Sequence, residues 1–185
     1  SKRAATKKLA DTPHLFGFIS QPNQDYIIVP RVSSELRKYI PIGWVDKNVI
    51  CSDANFMIPD AVMYDFGILN SKIHMAWTKT FCGRLESRYR YSKDIVYNNF
   101  VWCSPSENQR KKIEETAQNI LDARKNYPSA SLADLYDETL MPKDLRDAHR
   151  KNDLAVMSAY GFDKNLTESE IVAELMKLYQ SLVEK

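Results

Sequence analysis

"LNSKIHMAWTKTFC" (69–82) runs without a linker into "GRLESRYRYSKDIVYNNF" (83–100). In the first segment Ile73, Trp77 and Phe81 recur every four residues, with Met75 and Ala76 between them, which is the apolar stripe of a helix packed on a sheet. At Gly83 the period shortens to two. The even positions carry Arg84, Glu86, Arg88 and Arg90, and the odd positions carry Leu85, Ser87, Tyr89 and Tyr91. Read as one strand, this places three arginines and one glutamate on the same side, because side chains alternate faces along a strand. The helix gives that strand a rigid mount, so the expectation is an α+β unit. Neighbouring like charges on a solvated sheet face cost stability, so something anionic or strongly polar is expected opposite the row.

N-terminal to this stretch the chain is a series of short β-branched and aromatic runs: "LFGFIS" (15–20), "DYIIVPRV" (25–32), "KYIPIGWV" (38–45), "NVICSD" (48–53) and "NFMIP" (55–59). Pro, Asn, Asp and Gly separate them, which is the punctuation of strands and turns. C-terminal to it the period lengthens. In "SENQRKKIEETAQNILDARKNYP" Ile113, Ala117, Ile120, Leu121 and Arg124 fall on one helical stripe that Pro128 ends. Residues 131–137, 142–161 and 167–185 read as further helices, with Pro142 suited to a first turn, Gly161 to a C-cap, and Thr167 with Glu170 to a capping box.

Charge divides at the same place. Residues 1–103 hold 14 Lys and Arg against 9 Asp and Glu, whereas residues 104–185 hold 12 against 15, so the halves carry +5 and −3 of the overall +2. The predicted organisation is a basic α+β domain over 1–103, with a mixed sheet and a packed helix, followed by a small all-helical domain over 104–185.

No apolar run reaches the roughly 20 residues a membrane-spanning helix needs, and no signal peptide precedes the first strand-like run. Three cysteines without close pairing, Cys51, Cys82 and Cys103, suggest neither a disulfide framework nor a zinc site, and a cytoplasmic setting is expected. The start at Ser1 is compatible with a piece of a longer protein.

Catalytic signals are absent. His14, His74 and His149 make no i, i+4 metal pair and read as structural or exposed. The five glycines form no phosphate loop or dinucleotide fingerprint. The cysteines read as small buried hydrophobes, and Glu114 with Glu115 as a solvated helix face shared with Arg110, Lys111 and Lys112. No catalytic residue, no metal and no cofactor is expected within the chain.

Recognition of an anionic partner remains. Arginines interleaved with tyrosines supply phosphate-binding forks and rings, and Lys2, Arg3, Lys7 and Lys8 form either a basic arm or a solvated tail. Glu86 inside the basic row is the informative residue, because a carboxylate repels a phosphate backbone but accepts from the cytosine amine, while an arginine grips the guanine edge. Glu86 beside Arg88 is therefore either a reader of a C·G pair or an ion pair on one strand.

The block "IHMAWTKTFCGRLESRYRYSKDIVYNNFVW" (73–102), with "IVPRVSSELRKYIPIGW" (28–44) and "LADLYDETLMPKDLRDAHRKNDLAVMSAYGF" (132–162), resembles the C-terminal part of the MmeI-like family. These are large bacterial proteins joining adenine DNA methyltransferase, target recognition and, in many members, endonuclease functions in one chain. The resemblance covers nearly all 185 residues. "NNFVWC" departs at Val101 and Cys103 from the family's "NNFPWP". The resemblance implies a target-recognition domain up to about residue 103 and a helical domain after it. It implies base readout by residues matching Ala54, Glu86, Arg88 and Arg90, and Arg84, Lys93 and Lys79 are expected at the DNA backbone. The implied partners are double-stranded DNA and an N-terminal methyltransferase domain, which would hold the S-adenosylmethionine and the Asn-Pro-Pro-aromatic loop that this sequence lacks. The alternative is a protein-interaction module whose arginines pair with a partner's carboxylates and whose acidic helices dock on it.

Overall fold

A computed structural model describes residues 4–15 and 20–184. The chain begins with helix α1 (Ala4–Leu9), then lays down strands β1 (Tyr26–Pro30), β2 (Val32–Ser33), β3 (Gly43–Val45) and β4 (Asn55–Ile58). Two helices follow, α2 (Met63–Leu69) and α3 (Lys72–Phe81), then strands β5 (Gly83–Leu85) and β6 (Arg88–Arg90) and a single π-helical turn at Lys93–Tyr97. The remainder is helical: α4 (Glu107–Lys125), α5 (Leu132–Leu135), α6 (Lys143–Tyr160) and α7 (Glu168–Val183).

The fold is α+β, as the change of period at Gly83 implies. Its strands divide between two antiparallel sheets, ordered β3-β1-β4 and β2-β6-β5, rather than gathering in one. β1 and β2 are one strand interrupted at Arg31, and each half pairs into a different sheet. β1 takes the centre of the first sheet because Tyr26, Ile27 and Val29 are all buried, a pattern open only to a strand covered on both faces.

α3 starts where Ser71 accepts a hydrogen bond from the His74 amide and ends at Cys82, so the helix hands the chain straight to β5 as expected. α2 lies outside the sequence expectations. It is short, and its cap is made by the Asp65 carboxylate accepting from the Val62 amide, with Val62 in the position usually held by Ser or Asp. The boundary residues of the later helices match their sequence signals: Gly161 caps α6 at φ 70, and Thr167 and Glu170 close a capping box on α7.

Two expectations change, and one lies outside the described residues. Residues 48–53 form turns and irregular backbone, not a strand; Ile50 is 83% exposed, and Val49 is held by its amide donating to the Asp46 carbonyl and its carbonyl accepting from the Tyr26 hydroxyl and Gln21. The strand expected over 15–20 falls largely on residues 16–19, outside the described residues, as do Lys2 and Arg3, whereas Lys7 and Lys8 belong to α1. The charged run of 83–91 is a hairpin and not one strand.

Among the described residues one core runs from β1 to α7, with buried side chains continuous from Ile27 and Phe66 to Ile113, Leu145 and Ile171. A buried polar network crosses the same seam. Arg124 donates to the carbonyl of Ile42 at 2.9 Å, to Asn70 Oδ1 at 3.3 Å and to the Tyr136 hydroxyl. His149 meets that hydroxyl at 2.5 Å and the Asn70 carbonyl at 3.1 Å, and stacks on Tyr39, whose own hydroxyl donates to Asp153 at 2.6 Å.

Candidate nucleic-acid interface

The β5–β6 hairpin turns on Glu86 and Ser87, with Glu86 in the left-handed region at φ 57. Because β5 ends at Leu85, the two-residue turn folds the row back on itself. Gly83 lies opposite Arg90, Arg84 opposite Tyr89, and Leu85 opposite Arg88. Directly opposed residues share a face, so Arg88 and Arg90 stand beside Leu85 and Gly83 on the outer face, while Arg84 is on the other face with buried Tyr89. This corrects the single face of three arginines: a strand reading assumed one direction through Glu86, where the backbone reverses.

The two faces carry different work. Arg84 lies over the Tyr89 ring at 4.3 Å and donates to the carbonyls of Ser87 at 3.1 Å and Lys79 at 3.4 Å, which ties the hairpin to the end of α3. On the outer side Arg88 Nη2 donates to Glu86 Oε2 at 2.7 Å, with both side chains well exposed at 45% and 75%. A pair this exposed contributes about 1 kcal/mol or less, so it sets the position of the guanidinium more than it holds the hairpin. Behind the turn, the Glu35 carboxyl is held below its ordinary value by a hydrogen bond from Ser87 and by a backbone amide, with Arg84 and Arg88 adding attraction.

Ala54 reaches this surface through Arg31. The Arg31 amide donates to the Ala54 carbonyl at 2.9 Å, and its carbonyl accepts from the Tyr91 amide at 2.8 Å, so one residue clips the loop carrying Ala54 to the strand carrying Arg90. The Arg31 guanidinium sits 4.5 Å over the Phe56 ring and lines, with Phe56, Gly83, Arg90, Ser92 and Ile95, an open pocket of about 320 Å³. Sequence reasoning missed Arg31. Its only signal was position, a lone arginine behind Pro30 where an apolar run breaks and resumes.

Of the residues expected at the backbone, Lys93 opens the π-helical turn with its side chain 65% exposed and Nζ 4.0 Å from Asp94. Lys79 is paired across to the helical part, its Nζ 2.7 Å from Glu168 at the start of α7. Arg110, Lys111 and Lys112 pair with Glu114, Glu107 and Glu115 on their own helix, a solvated face as expected. His74 and His149 are fully buried and hydrogen-bonded through both ring nitrogens, and burial raises the thiols of Cys51, Cys82 and Cys103. Among the described residues, no three His, Cys, Asp or Glu side chains converge as a metal site.

Comparison with known families matches residues 1–104 to "MmeI, target recognition domain" and residues 105–185 to "MmeI, C-terminal domain". The chain belongs to the MmeI family. Among similar proteins, the DNA methyltransferase A of Bacillus subtilis (strain 168) is 40% identical over 180 residues, which is 97% of this chain and 20% of that protein. A solved structure of the Type IIL restriction-modification enzyme MmeI in complex with DNA is 50% identical, superposes with a TM-score of 0.90, and is matched over 100% of this chain and 25% of its own. The chain therefore spans about a fifth to a quarter of the length of these relatives. No described helix is long and apolar enough to cross a membrane.

Proposed function

We propose that this chain is the sequence-reading part of an adenine-specific, S-adenosylmethionine-dependent DNA methyltransferase of restriction–modification type. The observation that carries the reading is the outer face of the hairpin, where Arg88 and Arg90 are presented to solvent beside small and apolar neighbours and Arg88 is pre-aimed by Glu86. In a major groove, Glu86 accepts from a cytosine amine while Arg88 takes the guanine edge of the same pair, so the ion pair of the free protein becomes a two-residue reader. Arg90 reads a neighbouring position, and Ala54, clipped beside it through Arg31, limits what fits there. Lys93 takes a phosphate. Arg84 and Lys79 act at one remove, by fixing the hairpin to α3 and α3 to α7.

In this proposal residues 1–103 read DNA and residues 104–185 orient them. The S-adenosylmethionine pocket and the adenine-receiving loop belong to an N-terminal methyltransferase part outside this chain, so calorimetry of this chain with the cofactor should be flat. The deciding experiment is methylome mapping of the full-length protein with Glu86 and Arg88 both replaced by alanine. The expected result is a changed base at one position of the methylated motif, because a good bidentate contact discriminates by about 1–3 kcal/mol. An unchanged motif with uniformly weaker methylation would make these residues phosphate contacts. Binding that does not weaken with salt would favour the protein-partner alternative.

A further inference from the structure

Among the glycines of the described residues, three have a reason inside the fold. A Cβ on Gly43 would stand 2.8 Å from Ile28 Cγ1, and one on Gly67 would stand 2.6 Å from Ile113 Cγ2. Gly161 caps a helix at φ 70. Gly83 has no such reason. Its φ is not in the left-handed region, and an added Cβ would meet only Arg90, at an ordinary 3.8 Å. Glycine also loses more backbone freedom on folding than any other residue, so a strand position that tolerates a side chain is weakened by lacking one.

The surroundings of Gly83 point outward. It lies directly across from Arg90 on the exposed face of the hairpin and forms part of the pocket walled by Arg31, Arg90, Phe56 and Ile95. Two arginines thus line a pocket in which the backbone at residue 83 is bare. We infer that Gly83 is a clearance residue: its missing side chain lets the edge of a base pair seat between Arg31 and Arg90, and any side chain there would hold the duplex off both. A guanine edge, with two acceptors, suits that pair of donors. This inference rests on the DNA-reading proposal and adds to it a specificity determinant that acts by absence.

The test uses the full-length protein and Gly83→Ala and Gly83→Val variants, each presented with a random-sequence 20-base-pair duplex pool whose bound fraction is sequenced, alongside thermal unfolding. Both variants should unfold no lower than the parent, since the site accepts a Cβ, while preference at one base position falls by about tenfold, more for Val than for Ala. If both variants enrich the same sequences as strongly as the parent, the inference is overturned while the reading of DNA stands. A lowered unfolding midpoint for Gly83→Ala would also overturn it, by giving the glycine an internal role. If the parent itself enriches no sequence, the DNA-reading proposal fails and this inference fails with it.

Discussion

Glu86 sits at φ 57 at the first position of a two-residue turn, a conformation that costs a non-glycine residue roughly 1–2 kcal/mol. Replacing it with glycine removes both this cost and the ion pair with Arg88, which contributes about 1 kcal/mol or less at such exposure. Glu86→Gly is therefore expected to leave thermal stability unchanged or raise it slightly, while Glu86→Val lowers it, as unfolding of the two variants by circular dichroism will report. Titration gives a second prediction at this scale. Burial holds His74 down to about 4 and His149, with Arg124 beside it, down to about 3, whereas it pushes Asp153 up to about 6. Between pH 6 and 4.5 unfolding takes up two protons at the histidines and releases one from Asp153, a net uptake of one. Stability should therefore fall as pH falls, by about 1.4 kcal/mol per unit. Asp153→Asn removes the opposing proton and should steepen that slope to roughly 2.7 kcal/mol per unit, measured by urea unfolding at several pH values. An unchanged slope would mean that Asp153 is ionised throughout.

At the scale of elements, Gly67 shows how closely α2 lies on α4. A Cβ there would be 2.6 Å from Ile113 and 3.1 Å from Ala117, so Gly67→Ala should cost about 1–3 kcal/mol through overpacking. The expected readout is a thermal midpoint lower by several degrees, and a midpoint within one degree of the parent would refute the contact. The long helices α4, α6 and α7 were legible in the sequence because periodicity and caps coincide there, as at Thr167 with Glu170 and at Gly161. α2 was not legible: seven residues are too few for a period, and its N-cap is a valine. The hairpin misled for a different reason. Its alternation is real on both strands, but its turn is Glu-Ser without the Asn-Gly or Asp-Gly that announces a reversal, so the pattern runs through the bend unbroken. For the candidate site, nothing in spacing brings Arg31 and Ala54 to Arg90, because the link is made by backbone groups.

At the scale of the molecule, the sequence divides by texture and charge near residue 104, and the two family matches meet at 104 and 105, yet the core does not divide. Bonds across that line satisfy buried and part-buried backbone groups: Asn152 donates to the Gly67 carbonyl at 2.8 Å, Asp153 accepts from the Lys72 amide at 2.7 Å, and Tyr160 donates to the Val101 carbonyl at 2.6 Å. Residues 1–103 alone would lose these bonds and would uncover Phe66 and Ile73, with each square ångström of apolar surface exposed to water costing about 25 cal/mol. The expected outcome is that residues 1–103 show no cooperative thermal transition and no near-ultraviolet dichroism. A sharp transition at the midpoint of the whole chain would establish instead that this part folds independently.

The clip at Arg31 has a consequence for how such a surface changes over time. A residue that bonds the Ala54 loop through its amide and the Arg90 strand through its carbonyl makes the three positions mechanically one, whereas Glu86 lies in the turn and holds Arg88 in an exposed ion pair of its own. Substitutions at 31, 54 and 90 should therefore be strongly non-additive among themselves and close to additive with those at 86 and 88. On the proposed reading, a lineage drifting toward a new recognition motif would then move in two kinds of step: paired changes of Glu86 and Arg88 at the tip of the hairpin, and coordinated changes around Arg31 in which each member is poorly tolerated until the others have arrived.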